Sequence, residues 1–402
     1  MTTASPPSSM PTRATPTPVD WVRKNLFNNW FNSLLTIIIS ALILWIGIGF
    51  FSWAIAEAEW DVLSENWPLF FAGQYPREQY WQLFILLGLV SALSGLSWGY
   101  FAKSVAHFFS PKVLWGLGIV TFLAVLTPTP LPFRLVLLGI LLLGVTTAWG
   151  ERQLYPTVSV SGQWLSLSWL LFLIVGFWLV RGGLGLEPVS SNDWGGLLLT
   201  LMMAFVSILL CFPLGVILAL GRQSNLPVVK WLATAYIELI RGVPLISILF
   251  MGQVMIPLFL PEGMRPDRVL RAVLALTLFS SAYMAENVRG GLQAVPRGQS
   301  EAASSLGINK PLTVALIVMP QALKISIPAI VGQFISLFQD TTLVSIVGLK
   351  DLLGMSRGVL GNPEFLGRYQ EVYLFIAVIY WFFCYAMSIG SRRIEKSLDT
   401  SH

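Results

Sequence analysis

At 402 residues, the chain is 55% hydrophobic and only 11% charged, with a mean hydropathy of +0.71 and a formal net charge of +5. Soluble domains carry about a quarter charged residues, so a water-solvated globular fold is excluded. The positive balance reports membrane orientation through the cytoplasmic bias of Lys and Arg, and implies no nucleic-acid partner.

Residues 1–30 begin "MTTASPPSSMPTRATPTPVD", rich in Pro, Ser and Thr and poor in bulky apolar side chains, and are expected to form a disordered cytoplasmic tail. The apolar run Leu34–Trp53 follows Arg23 and Lys24. It exceeds the roughly 7–15 residues of a signal-peptide core and is expected to be a retained first membrane helix. Ten spans are predicted, near 31–54, 80–101, 113–127, 131–149, 164–181, 195–220, 231–258, 268–288, 322–347 and 372–391. Several reach about 18 residues, enough to cross a hydrocarbon core of about 30 Å. "TPTPLP" between the third and fourth marks either a hairpin or one broken span. Alternating segments of about ten residues, as in a β-barrel, are not evident. The fold class is an all-α polytopic membrane protein.

With the amino terminus inside, Lys and Arg fall roughly two to one on the inner side, so ten spans place both termini in the cytoplasm. Interfacial tryptophans such as Trp30, Trp60 and Trp194 fall near span ends. A boundary lies in "RGGLGLEPVSSNDWGG", residues 181–196. Residues 31–190 are read as a five-helix extension almost free of buried charge. Residues 191–397 are read as a five-span domain carrying Glu238, Arg241, Glu286 and Asp340 at or near membrane depth, where ionisable groups are functional candidates.

Catalytic constellations are missing. The chain has no phosphate-cradling G-x-x-x-x-G-K-[ST] loop and no G-x-S-x-G elbow, and its two histidines cannot build a multi-histidine metal site. Cys211 and Cys384 lie within apolar spans and read as small buried hydrophobes. The chain is therefore not expected to be an enzyme, and ATP-driven work would require another chain to hold the ATP and Mg.

The polar island "GQSEAASSLGINKPLTVALIVMP", residues 298–320, falls on the cytoplasmic side between the eighth and ninth spans. "QSEAASSL" reads as a short helix with Glu301 in its first turn, Gly307 at the left-handed C′ position, and Pro311 opening the next helix. Small Ala302 and Ala303 allow another surface to approach closely. Glu301-Ala302-Ala303, Gly307, Ile317 and Met319-Pro320 together resemble the EAA loop of bacterial ABC importer permeases. Met319 stands where leucine is usual in that family, a volume-conserving change.

The resemblance extends through "GGLLLTLMMAFVSILLCFPLGVILAL", "YIELIRGVPLISILF", "AYMAENVRGGLQAVPRGQ" and "QFISLFQDTTLVSIVGLKDLL" to the polar-amino-acid branch. By layout, the long first half resembles the larger subunit of general L-amino-acid permeases (Aap type). The resemblance implies a type I permease core in the last five spans, importing L-amino acids across a bacterial inner membrane. It implies a coupling loop at 296–320 in which Glu301, Ala302, Ala303, Leu306, Gly307, Ile308, Asn309 and Lys310 meet the ATPase. It also implies a second homologous permease, two cytoplasmic ATPase subunits and an external binding protein as partners. A stand-alone ion-coupled carrier or channel is the rival reading, and it would make the loop's spacing coincidental.

Glu238 and Arg241 are spaced i,i+3 along a helix that Gly242 and Pro244 then weaken, as at transporter substrate sites. The same pair could instead neutralise one another and lock the fold. Glu286, Asn287 and Arg289 could shape the pathway or tie their span to the coupling loop. Asp340 with Thr341 and Thr342 could receive a zwitterion, anchor the outer helix near 344–356, or touch a binding protein.

Overall fold

The computed structural model describes residues 17–102, 110–154, 162–183 and 185–398, and among these the architecture is all-helical apart from isolated bridges. The tail expected over 1–30 lies outside the described residues up to position 16. From Pro18 to Leu26 the expectation of disorder is corrected, because this stretch is a helix, α1. Thr17 caps it by accepting from the Asp20 N–H at 3.2 Å. Pro18 opens it, and Arg23 and Lys24 sit at its negative carboxyl end. These local signals outweigh the polar composition. After it, Trp30–Ser52 (α2) runs on through a π-helical turn to Glu57 and makes the first span. None of its residues is buried within the unit that ends at Glu59. An apolar helix without a polar face has lipid as its solvent.

Trp60 to the carboxyl terminus forms a second compact unit. Two short helices, Asp61–Glu65 (α3) and Trp67–Ala72 (α4), precede the extension's long helices Tyr80–Phe101 (α5), Pro111–Leu126 (α6), Leu131–Leu154 (α7) and Gly162–Arg181 (α8). Gly95 and Gly99 let α5 and α7 touch. A Cβ on Gly95 would lie 2.1 Å from Thr147 Oγ1 and 2.2 Å from the Gly144 carbonyl. Small residues four apart are a usual means of close helix approach in lipid. Glu151, near the end of α7, is a buried acid in the half read as almost free of buried charge.

The second half contains Gly196–Arg222 (α9), Pro227–Arg241 (α10), Leu245–Phe250 (α11), Ile256–Phe259 (α12), Arg268–Ala294 (α13), Arg297–Ser305 (α14), Lys310–Thr313 (α15), Met319–Asp340 (α16), Leu352–Leu360 (α17) and Tyr369–Leu398 (α18). Eight of the ten expected spans are long apolar helices. The seventh is a broken pair, α10 and the α11–α12 segment, bent by 101°. The third, α6, has 16 residues. That is a rise of about 24 Å, short of the thickness of about 30 Å. "TPTPLP" thus separates two helices, the first too short to cross unaided.

α13 is the central post, with about half of its 27 residues buried. It packs on α9, where a Cβ on Gly215 would meet Met284 Cγ at 2.4 Å, and on α16, where a Cβ on Gly291 would meet Ser326 Oγ at 1.9 Å. At the opposite end of α9 the extension and the core interlock. Gly73 pairs with Trp194, the Gly196 N–H donates to the Lys350 carbonyl at 2.9 Å, and the Leu352 N–H donates to Thr200 Oγ1 at 3.0 Å. Beneath this junction, Val62 and Phe70 of the extension share an apolar cluster with Leu197, Leu352, Val359, Val372 and Ile376.

Candidate functional site

The island forms the elbow between α13 and α16. α14 begins at Arg297 behind Pro296, so Glu301 falls in its second turn and not in the first as expected. Proline fits just ahead of a helix, which moves the start upstream. Leu306 closes the helix and Gly307 follows at φ +76°. The Ile308 N–H donates to the Ala303 carbonyl and the Gly307 N–H to the Ser304 carbonyl, both at 3.0 Å, which satisfies the helix end. Asn309 Oδ1 accepts from the Leu312 N–H at 3.0 Å and caps α15, where Lys310 and Pro311 stand. Ala303 is buried and Ile308 half-buried, whereas Glu301, Ala302, Asn309 and Lys310 are exposed. Leu306 is 79% exposed, an apolar side chain presented outward from a polar helix.

Glu238 and Arg241 do not pair with each other, which corrects the mutual neutralisation considered above. Arg222, the last residue of α9, donates to Glu286 Oε1 and to Glu238 Oε1, both at 2.7 Å. Arg289 donates to Glu286 Oε2 at 2.6 Å, and Arg241 approaches that oxygen at 3.6 Å. Arg241 also stands over the Tyr283 ring, 5.4 Å from its centroid. The reason is geometric: α9 and α13 bring an arginine and a glutamate against the face of α10. Glu286, 16% exposed, is the hub of three guanidiniums, while Glu238, 57% exposed, is the rim. Three arginines and two glutamates leave the cluster with one net positive charge.

Gly242 and Pro244 stand at the bend that follows. Pro244 has no N–H to donate to the Ile240 carbonyl, which instead accepts from Val243 at 3.4 Å. The chain then re-enters helix under Pro244, with Leu245, Ile248 and Leu249 in the core. A discontinuity stacked on an ionic cluster is an arrangement that suits a polar cavity.

Asp340, Thr341 and Thr342 are not brought to this cluster. The Asn287 side chain donates to the Ala329 carbonyl at 3.1 Å, which sets the level of Glu286 along α16. Asp340 is eleven residues further on, about 16 Å of helix rise. Thr341 and Thr342 donate their hydroxyls to the carbonyls of Phe338 and Gln339, at 2.7 and 2.8 Å. Asp340 has no ion-pair partner among the described residues.

Sequence reasoning did not single out Arg222. Its one signal is an arginine directly abutting a long apolar run. It also missed Asp351, a fully buried acid outside the spans. Asp351 caps α17 by accepting from the Leu353 and Gly354 N–H groups, and burial raises its carboxyl pKa to about 7.

The model of the family described as "Binding-protein-dependent transport system inner membrane component" matches residues 211–400. The inner membrane amino-acid ABC transporter permease protein YhdY of Escherichia coli K12 is 38% identical over 94% of this chain and 93% of its own length. The glutamate/glutamine/aspartate/asparagine transport system permease protein BztC of Rhodobacter capsulatus is 37% identical over 96% of this chain and 94% of its own. Among solved structures, an amino acid ABC transporter crystallised with histidines is 34% identical over 50% of this chain and 92% of that one, with a TM-score of 0.46.

Proposed function

The chain belongs to the permeases of amino-acid ABC transporters, and from that premise we propose how its parts serve the import of L-amino acids. The observation that carries the reading is α14, a short capped helix held at the tip of the α13–α16 pair with Leu306 and Glu301 facing outward. An exposed apolar side chain beside an acid suits a groove with an apolar floor and a basic rim on an ATPase subunit. The Gly307 turn that closes α14 and the Asn309 cap that opens α15 keep the elbow stiff enough to transmit a push. This chain supplies no catalytic group; ATP and Mg belong to that partner.

The ionic cluster supports the rest of the assembly. Glu238 and Arg241 are too exposed in the single chain to face hydrocarbon, since a charge in the bilayer centre costs roughly 2.5–3.5 kcal/mol. They suit a wet pathway shared with a second, homologous permease, where the bend at Gly242 and Pro244 opens the wall. Asp340, Thr341 and Thr342 lie further along α16 as a separate polar station. The transporter is completed by two ATPase subunits and an external amino-acid-binding protein, in a bacterial inner membrane. A stand-alone carrier has no use for an outward-facing α14.

Two tests follow from this arrangement. Glu301→Lys reverses the charge at the docking surface, where like charges cost several kcal/mol. Gly307→Val has open space for its side chain, so its penalty is the left-handed backbone alone, about 1–2 kcal/mol. Both should leave membrane insertion intact and lower uptake at least tenfold, read in proteoliposomes beside ATPase co-purification. Near-normal uptake by either assembled variant overturns the docking assignment.

Orientation is tested separately. With α6 completing the tenth crossing beside α7 and both termini cytoplasmic, a single cysteine at Ser300 should resist impermeant thiol reagents in sealed cells, and one at Ser64 should react. Labelling at position 300 from outside contradicts the arrangement.

A further inference from the structure

The helix α1 has no part in the mechanism above. Its side chains divide by face. At 100° per residue, Val19, Val22 and Leu26 share one side, and Asp20, Arg23 and Lys24 occupy the other, with the two cations flanking the acid. Val19, Trp21, Val22, Leu26 and Phe27 are all between 37% and 75% exposed. An apolar stripe of this kind in water is costly, so its neighbourhood decides what covers it.

That neighbourhood is fixed by the chain. Only three residues separate α1 from the start of the first span at Trp30. Three residues reach about 10 Å, so α1 cannot leave the level where the span meets the headgroups. The link is ordered as an elbow and does not prolong either helix. Thr36 Oγ1 donates to the Leu26 carbonyl at 2.9 Å, Asn32 Nδ2 donates to Asn28 Oδ1 at 2.7 Å, and Asn29 is extended and caps α2. A chain turned at the interface with one apolar face has the bilayer surface as its natural cover.

We propose that α1 is an in-plane interfacial helix. Val19, Val22 and Leu26 rest in the acyl boundary, Trp21 lies at the headgroup level, and Arg23 and Lys24 reach the lipid phosphates from its two flanks. Long basic side chains lay their stems over apolar surface while their charges stay with phosphate and water. The helix pins the start of the first span at a set depth.

The test uses the full-length chain with Cys211 and Cys384 replaced, reconstituted in nanodiscs of phosphatidylethanolamine and phosphatidylglycerol. Single spin labels at positions 19, 20, 22, 24 and 26 report collisions with oxygen, which partitions into lipid, and with a water-soluble nickel chelate. Labels at 19, 22 and 26 should favour oxygen severalfold, and labels at 20 and 24 should favour nickel. The paired change Val22→Asp and Leu26→Asp, read from the label at 19, should abolish its oxygen preference while the first span stays inserted. Uniform nickel access overturns the proposal by placing α1 in water. Shielding of 19, 22 and 26 from both reagents overturns it by placing a protein surface there, as does an oxygen preference that survives the double change.

Discussion

Replacing Gly73 with alanine should sharply reduce the yield of folded, monodisperse protein. Gly73 has φ +67° and ψ −132°, a backbone region essentially confined to glycine. A Cβ there would stand 2.4 Å from Gly195 Cα and 2.5 Å from Gly195 N. Both obstacles are backbone, so no side chain can turn aside. Gly195 cannot retreat either, because the next residue, Gly196, donates to Lys350 and would itself meet the Phe70 carbonyl at 2.3 Å if it carried a Cβ. Strain of this kind costs about 1–3 kcal/mol, and forced overpacking adds about as much again. The junction joins α4, α9 and α17, so the damage should spread to the apolar cluster under it. Gly118→Ala, where a Cβ meets nothing within 4 Å, is the control and should be unaffected. Size-exclusion profiles and thermal unfolding of the two variants decide the matter. If Gly73→Ala unfolds at the wild-type temperature, the extension and the core do not meet as described.

Glu286→Gln should be the most damaging single charge change in the membrane domain. It leaves the shape of the side chain and removes the hub charge, so Arg222, Arg241 and Arg289 share only Glu238, and the net charge rises from one to two. Breaking a buried ion pair by removing one partner costs about 3–5 kcal/mol. With Glu286 16% exposed, the low end applies. Glu238→Gln should cost less than about 1 kcal/mol, because a rim pair is screened by water. Uptake should fall more than tenfold with Glu286→Gln, accompanied by a lower unfolding temperature, while Glu238→Gln should spare the unfolding temperature. An equal loss of stability in the two variants contradicts the hub-and-rim arrangement.

Composition and local pattern were enough for eight of the ten expected spans, because a run of apolar residues in lipid has no alternative to helix. They were also enough for the turn between α14 and α15. Gly307 stands at a left-handed position and Asn309 and Pro311 open the next helix, each a contact within a few residues of chain. α1 escaped notice because its capping and amphipathy occupy only nine residues after a Pro- and Thr-rich stretch.

The partners of the charges were a different matter. Glu238 and Arg241 are helical neighbours, and sequence spacing alone favours their pairing. The three-dimensional packing gives Glu238 to Arg222 and Arg241 to Glu286, with Arg222 and Glu286 separated by 64 residues. Gly73 and Gly195 likewise show nothing in sequence of the backbone contact that excludes a side chain from either. Spans, turns and caps are settled by interactions a few residues long, which sequence displays directly. Ion-pair choice and close backbone approach depend on which helix faces lie against each other. Only the folded chain determines that.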